Sequence, residues 1–275
     1  DPFWSVVARG VEEGARDMGV QVEYRAPQTF DVVEMGLLID AAVAARPHGL
    51  VVSIPDADAL EDPIRRDVAA GIPVVSINSG SDVYEDLGLL THIGQEEYFA
   101  GYGAGVRMAA AGVTKAVCVN HEVGNLGLDL RCQGFVEGLG SDAQAEVLGV
   151  HGDFNEIRSA VEIFLRRETD VDGILALGPL SSEPTLAALE AVGRVGEVHF
   201  GTFDLAPSIL DARMEGKMSF AIDQQQFLQG YLPIVILTQY VRYGLMPAAP
   251  IQTGPGFVTP ETAPFVMELS EAGIR

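Results

Sequence analysis

The chain is poor in basic residues, and this excludes a large class of partners. Its 17 Lys and Arg stand against 39 Asp and Glu, a formal charge of −22 at pH 7. A surface of that sign repels phosphate backbones, so no nucleic-acid partner is expected. Long apolar runs are also absent: none approaches the ~20 residues that a membrane span needs. Cysteine is scarce, with only Cys118 and Cys132. Neither a Cys-x-x-Cys pair nor a His-x-x-x-His spacing occurs, so no metal site is expected. Two separate buried thiols are the favoured reading, since Cys packs as a small hydrophobe. A disulfide in an oxidising compartment is the alternative. No Gly-x-Gly-x-x-Gly follows a strand, and there is no phosphate loop. Gly101-Tyr102-Gly103-Ala104-Gly105 falls inside a helical pattern instead. His121-Glu122 lacks the second His of a zinc protease and has no matching nucleophile, so no catalytic residue and no cofactor are assigned.

What is present is an alternation of helix and strand, on an apolar fraction of 48% that suffices for sizeable cores. Residues 3–19 show a helical apolar face through Val7, Val11, Ala15 and Met18. Residues 20–24 read as a strand. Asp31 caps a helix to about residue 46, and residues 50–54 form a strand. Asp56 or Asp58 caps a helix to residue 70, and strands follow at 73–77 and 90–93. A second run comprises helix 97–111, strand 116–120, helix 129–139, strand 145–150, helix 156–168, strand 173–177, helix 183–192, strand 197–201, helix 205–214, strand 218–222 and a long helix 225–243. Five prolines after residue 246 mark the remainder as loops and edge segments. Strands alternating with helices of 10–16 residues predict parallel sheets covered on both faces. Two such runs predict two similar lobes.

The segment Gly71-Ile72-Pro73-Val74-Val75-Ser76-Ile77-Asn78-Ser79-Gly80 is the clearest pointer to a site. A short apolar run between Gly and Pro reads as a buried parallel strand. Residues just past the carboxyl end of such a strand face the ligand crevice of an open α/β sheet. This places Asn78 and Ser79 where a small polar molecule is held.

Several segments, in order, carry a family resemblance: Asp1-Pro2-Phe3-Trp4 opening a helix, Gly71-Ile72-Pro73-Val74-Val75, Ile93-Gly94-Gln95-Glu96-Glu97 followed by Gly101, Arg131-Cys132-Gln133-Gly134-Phe135, Asp153-Phe154, Gly201-Thr202-Phe203-Asp204 and Ile222-Asp223-Gln224-Gln225-Gln226. Through them nearly the whole chain resembles the periplasmic sugar-binding proteins of ABC importers, in the ribose-binding-like type I group. The resemblance implies an α/β fold of two doubly wound parallel-sheet lobes, joined by a three-strand hinge, with the ligand cleft between the lobes. The crossings are expected near Gln95, near Gln224 and around 252–257. Lobe one is then 1–95 with 225–254, and lobe two 96–224 with 255–275. Members begin with a strand ahead of the Asn/Asp-Pro-Phe turn, and here residue 1 already stands at that turn, so the sequence reads as trimmed. A periplasmic or otherwise extracytoplasmic location is implied, with or without a lipid anchor; the leader is not visible in the sequence. A membrane permease is the implied partner, and the chain is expected to be a monomer.

The implied function is capture of a monosaccharide or sugar alcohol. Such a ligand needs planar polar groups for bidentate hydrogen bonds and aromatic faces for its C–H surface. The resemblance assigns the aromatic role to Phe3 and Trp4, against a plain reading as core anchors of the helix, and to Phe154. Asp1 stands at a polar contact position. Arg131, Asp204 and Gln224 are the expected charged and amide contacts. The plain readings are a surface ion pair for Arg131 and a helix cap for Asp204. Gln95 and Gln224 lie at crossings. Asn120, His121 and Asn125 follow a strand and are candidate hydroxyl contacts. Asn78 and Ser79 stand where the family usually has Asp and often Arg, a loss of charge that leaves room for a larger or more reduced ligand. The competing function is the effector domain of a sugar-responsive transcription repressor of the lac-repressor type, which shares the fold but needs an N-terminal helix-turn-helix not found here.

Overall fold

The computed structural model describes residues 2–259 and 261–275. The expected contact at Asp1 therefore lies outside the described residues. The chain opens with helix α1 (Pro2–Met18) and helix α2 (Val32–Ala45), the latter capped by Asp31, whose carboxylate accepts from the backbone N–H of Val33 and Glu34. Strand β1 (Leu50–Val52), helix α3 (Ala57–Ala69), strand β2 (Val74–Ile77) and strand β3 (His92–Gly94) follow. Asp56 caps α3 by accepting from Ala59 N–H. Next come α4 (Glu97–Ala110), β4 (Lys115–Asn120), α5 (Leu126–Leu139), β5 (Gln144–Gly149), α6 (Phe154–Arg167), β6 (Gly173–Ala176), α7 (Pro179–Val192), β7 (His199–Phe203), α8 (Pro207–Met214) and β8 (Phe220–Asp223). The chain finishes with α9 (Gln226–Tyr243), β9 (Ile251–Gln252), β10 (Gly256–Val258) and α10 (Ala263–Glu271).

These elements divide into two compact units. Trp4–Gln95 and Gln225–Thr253 form the N-terminal unit; Glu96–Gln224 and Gly254–Arg275, with Phe3, form the C-terminal unit. The N-terminal unit holds a four-stranded parallel sheet in the order β1-β2-β3-β9. The C-terminal unit holds six strands in the order β10-β8-β7-β6-β4-β5, parallel except for β10, which pairs antiparallel with β8. The mixed α/β architecture with parallel sheets is the one read from the sequence.

Alternation along the central strands supplies both faces of the six-stranded sheet. Val117 and Val119 of β4, with Ile174 and Ala176 of β6, enter one core beneath α6, α7, α8 and α10. Their neighbours Ala116, Cys118 and Leu175 enter a second core beneath α4 and α5. A side-chain period of two does this without any special residue, provided both faces are covered.

Three expectations are corrected. Residues 20–24 are not a strand: no strand lies beside them among the described residues, and Val22 and Tyr24 are exposed. Alternating apolar residues make a strand only where a neighbour takes up the backbone hydrogen bonds. The tail does contain edge strands, β9 and β10, but it also contains α10, which buries Ala263, Val266 and Ser270 on one face. Pro264 sits in the first turn of α10, where a helix tolerates the missing N–H. Finally, the two cysteines are bonded, with Cα atoms 5.7 Å apart. Cys118 of β4 and Cys132 of α5 both point into the same core, so their burial, the reason for reading them as separate thiols, is what brings them together. A bridge closing a loop of this length stabilises by about 3 kcal/mol in the chain-entropy account.

Helices α4 and α5 approach unusually closely because glycine lines both sides. A Cβ on Gly101 would overlap the carbonyl oxygen of Arg131, and one on Gly134 the carbonyl oxygen of Tyr98. Gly105 and Gly138 repeat the pattern one turn on, against Phe135 and Tyr102. The N-terminal unit uses the same device, with Gly10 of α1 against Phe227 and Gly230 of α9 against Val7. The Gly101–Gly105 run is thus packing surface inside a helix. Gly101→Ala should destabilise the protein by roughly 1–3 kcal/mol or more, since backbone must move to admit the methyl. Gly36→Ala in α2 serves as the contrast: its nearest contact would be an ordinary 3.8 Å from Leu60, so it should be neutral or stabilise by up to ~1 kcal/mol. Urea unfolding of both variants checks the pair; equal midpoints would refute the close-approach account.

Candidate ligand-binding site

The carboxyl ends of β4, β6, β7 and β8 gather polar side chains in the C-terminal unit. Arg131 is at their centre. It sits in the second turn of α5, facing the sheet, and is 2% exposed. Its Nε donates to Glu97 Oε2 at 2.5 Å and its Nη2 to Glu97 Oε1 at 2.8 Å, a two-pronged pair with a carboxylate that is equally buried. Nη1 donates to the carbonyl of Leu177 at 3.1 Å, and the guanidinium lies over the Phe203 ring, 4.4 Å from its centroid. Three of its five N–H groups are used in this way. The remaining two have no partner among the described residues. Burial opposes the charge of Arg131, but Glu97, with Asp204 and Glu122 nearby, outweighs it and raises the pKa further.

Asp204 follows β7 directly. It is not the cap of α8, a place taken by Ala206. Its backbone is left-handed, with φ 63°. Its Oδ1 accepts from Gln224 Nε2 at 2.7 Å. Burial pushes its carboxyl up to about 7, against the pull of Arg131 and the Gln224 hydrogen bond. His121 lies beside it: a Cβ on Gly178 would stand 3.3 Å from His121 Cε1 and 3.5 Å from Asp204 Oδ2. Burial and the charge of Arg131 lower the His121 pKa to about 4, so the ring is neutral near pH 7, and its Nδ1 is buried without a partner among the described residues.

Asn120 and Asn125 build the loop around His121. Asn120 donates to Asp129 at 2.7 Å and accepts from Glu122 N–H; Asn125 caps α5 by accepting from Gly127 N–H and donates to Glu122. Their amides are thus occupied by the turn that presents His121. Phe154 opens α6, where Asp153 and Glu156 form a capping box, and it is 44% exposed with no ring contact among the described residues.

The N-terminal unit has its own polar strand end. Asn78 follows β2 and, like Asp204, takes a left-handed backbone, φ 59°. Its Oδ1 accepts from Ser79 Oγ at 3.2 Å. Asn and Asp are the side chains that best tolerate this conformation. Gln95, fully buried, follows β3. Phe3 is buried and Trp4 half-buried in the first turn of α1.

The structure therefore brings Arg131, Asp204, Gln224 and His121 together, with Asn120 and Asn125 as their support, and places Phe154 apart. The residue that sequence reasoning missed is Glu97. Its signal was available: an Arg on the sheet-facing side of a helix requires a buried carboxylate, and Glu97 precedes Gly101 by one helical turn.

Comparison with known proteins shows the family and the fold. The model of the periplasmic binding protein domain family matches residues 1–245, and the chain belongs to that family. The Xylose/arabinose-binding protein XylF of Sulfolobus acidocaldarius is 24% identical over 275 residues, covering 94% of this chain and 68% of the relative. A solved carbohydrate transporter protein of Acidothermus cellulolyticus, in complex with myo-inositol, is 30% identical with a TM-score of 0.95, covering all of this chain and 95% of that one. A periplasmic sugar-binding protein of an ABC sugar transporter from Legionella pneumophila is 25% identical with a TM-score of 0.86, covering 92% and 95%. The fold is the type I periplasmic binding fold.

Asp204 sets a pH dependence. Its folded pKa, about 7, lies above the ordinary carboxylate value of 3.8. The stability linked to it is therefore fully present below about pH 3.8 and lost as pH rises through about 7. A ligand hydroxyl that donates to this carboxylate reverses the balance, so affinity should rise as pH passes through about 7. Calorimetric titration at acidic, neutral and mildly alkaline pH should show the rise in the parent protein and a flat profile in Asp204→Asn. A parent profile flat across that range would contradict the assignment.

Proposed function

We propose that this chain captures a neutral polyhydroxy compound, a monosaccharide or a sugar alcohol, and delivers it to the membrane permease of an ABC importer. The single observation that carries the reading is the buried Arg131–Glu97 pair beside Asp204 and Gln224 at the strand ends. A fixed fork of donors next to a carboxylate acceptor matches a pair of adjacent hydroxyls, each of which donates and accepts. The cluster's near-balance of charge disfavours a charged ligand. Relatives support the class, one by its name and another by the myo-inositol in its structure. The family is one of binding proteins rather than enzymes.

The proposed contacts are Arg131, Asp204, Gln224 and His121 in the C-terminal unit, and Phe3, Trp4, Asn78 and Gln95 near the start of the chain and in the N-terminal unit. Asn120 and Asn125 act through the loop they hold, and Phe154 remains an outlying candidate. In the mode that the resemblance implies, the two units serve as lobes, the chain crosses at 95/96, 224/225 and 253/254, and closure on the ligand creates the form that the permease reads. Working outside the cytoplasm fits the bonded cysteines. No helix among the described residues is long and apolar enough to cross a membrane.

A thermal-shift screen against pentoses, hexoses, alditols and myo-inositol, followed by calorimetry, tests the reading. A true ligand at a hundred times its Kd should stabilise the protein by about 2.7 kcal/mol. Asp204→Ala should weaken it by about 2–5 kcal/mol, roughly thirtyfold or more. Trp4→Ala should abolish any ligand-induced change in tryptophan fluorescence, as there is no other tryptophan. Tight binding of an amino acid or a sugar phosphate, with no response to any sugar or alditol, would overturn the proposal.

A further inference from the structure

The six-stranded sheet carries a concave feature at its amino-terminal end, opposite the candidate site. A cavity of about 480 Å³ opens there, lined by residues of the C-terminal unit. His199 is the first residue of β7, Ser219 immediately precedes β8, and Arg107 and Arg213 come from the last turns of α4 and α8. Its apolar floor includes Met108, Phe220 and Phe257.

The polar side chains on this cavity can all donate except Glu261, and most are unspent. Arg107 lies over the Phe257 ring, 3.9 Å from its centroid, and has no hydrogen bond or ion pair among the described residues. Arg213 donates Nη1 to the carbonyl of Met218 at 2.9 Å, but its Nε is buried with no partner among the described residues. The Ser219 hydroxyl and the His199 ring make no hydrogen bond among the described residues either. One acid faces them, Glu261, and it already accepts from Thr259. Acids outnumber bases more than twofold in this chain. Elsewhere a carboxylate stands beside Arg16, Arg25, Arg65, Arg66, Arg131 and Arg166. Neither Arg107 nor Arg213 makes such an ion pair among the described residues, and Glu261 attracts the charge of Arg213 without reaching it.

A helix C-terminus favours a cation, and this accounts for Arg at these two positions. It does not account for the buried, unpaired Nε of Arg213, since buried donors are ordinarily satisfied. From these observations we infer a second ligand site, for a small organic anion whose carboxylate or phosphate group is held by Arg107 and Arg213, with Ser219 and His199 as further donors, and whose apolar portion lies on Phe257 and Met108. Planar guanidinium donors suit both kinds of oxyanion. The site stands on its own residues and does not depend on the identity of the sugar ligand.

Calorimetric titration of the full chain with citrate and, separately, with inorganic phosphate at constant ionic strength tests the inference. Saturable binding of citrate near one equivalent is expected, with phosphate weaker because it leaves the apolar floor uncovered. Arg107→Gln, a change at an exposed position, should weaken citrate about tenfold or more. Arg213→Gln should do the same, and both should leave the response to a sugar or alditol unchanged. Absence of saturable binding by either anion, or citrate affinity unaltered in Arg107→Gln and Arg213→Gln alike, would overturn the inference. If acidic peptides bound here while both small anions failed, the small-molecule assignment would likewise fall.

Discussion

The buried pairing of Arg131 with Glu97 is the interaction on which the C-terminal unit's polar centre depends. A guanidinium and a carboxylate taken out of water are tolerable only when each finds the other in good geometry, and removing one partner from such a pair typically destabilises by about 3–5 kcal/mol. The two-pronged contact meets that condition. It forms because α4 and α5 approach to backbone contact through Gly101, Gly105, Gly134 and Gly138, which brings the start of α4 against the second turn of α5. The Cys118–Cys132 bridge fixes α5 to β4 one residue beyond Arg131. Packing, covalent linkage and charge thus converge on one side chain. The desolvation of Asp204 is the counterpart of this order: a carboxyl placed in the same dry surroundings binds its proton more tightly than in water, and its pKa reaches about 7.

The two units solve similar problems by similar means. Each places an Asn or Asp in the left-handed region directly after a central strand, Asn78 in one and Asp204 in the other. Such backbone conformations are unfavourable for most side chains and collect where the surrounding structure serves a function. Each unit also brings two helices to close contact through glycine. The chemistry differs where the backbone does not: the C-terminal unit has an ion pair and an acid, whereas the N-terminal strand end carries only an amide and a hydroxyl. Under the proposed function, most of the electrostatic discrimination between ligands would therefore fall to the C-terminal unit.

Much of this was legible in the sequence. Caps such as Asp31 and Asp56 and short apolar strands such as 74–77 are local features, and the structure reproduces them. The polar residues after strands could be placed because strand ends in parallel sheets face the crevice. What escaped depends on neighbours that a linear reading does not supply. The stretch 20–24 alternates correctly yet has no strand to pair with among the described residues, while α10 is helical because its apolar face meets a core contributed by distant segments. Glu97 looked like one acid among 39. Its role follows only once the glycine spacing of α4 is joined to the position of Arg131 on α5. The cysteines were misread for the same reason, since burial was visible and adjacency was not.

The central claim is that Arg131, held rigid by Glu97, presents its remaining N–H groups to a ligand that also donates to Asp204. A crystal structure of the complex with the sugar or alditol that gives the largest thermal shift tests this most directly. The account predicts ligand hydroxyl oxygens about 2.7–3.2 Å from an Arg131 terminal nitrogen and about 2.5–3.0 Å from an Asp204 carboxylate oxygen, with the Arg131–Glu97 pair unchanged. A ligand that contacts neither residue, or that binds only after Arg131 has left Glu97, would contradict it.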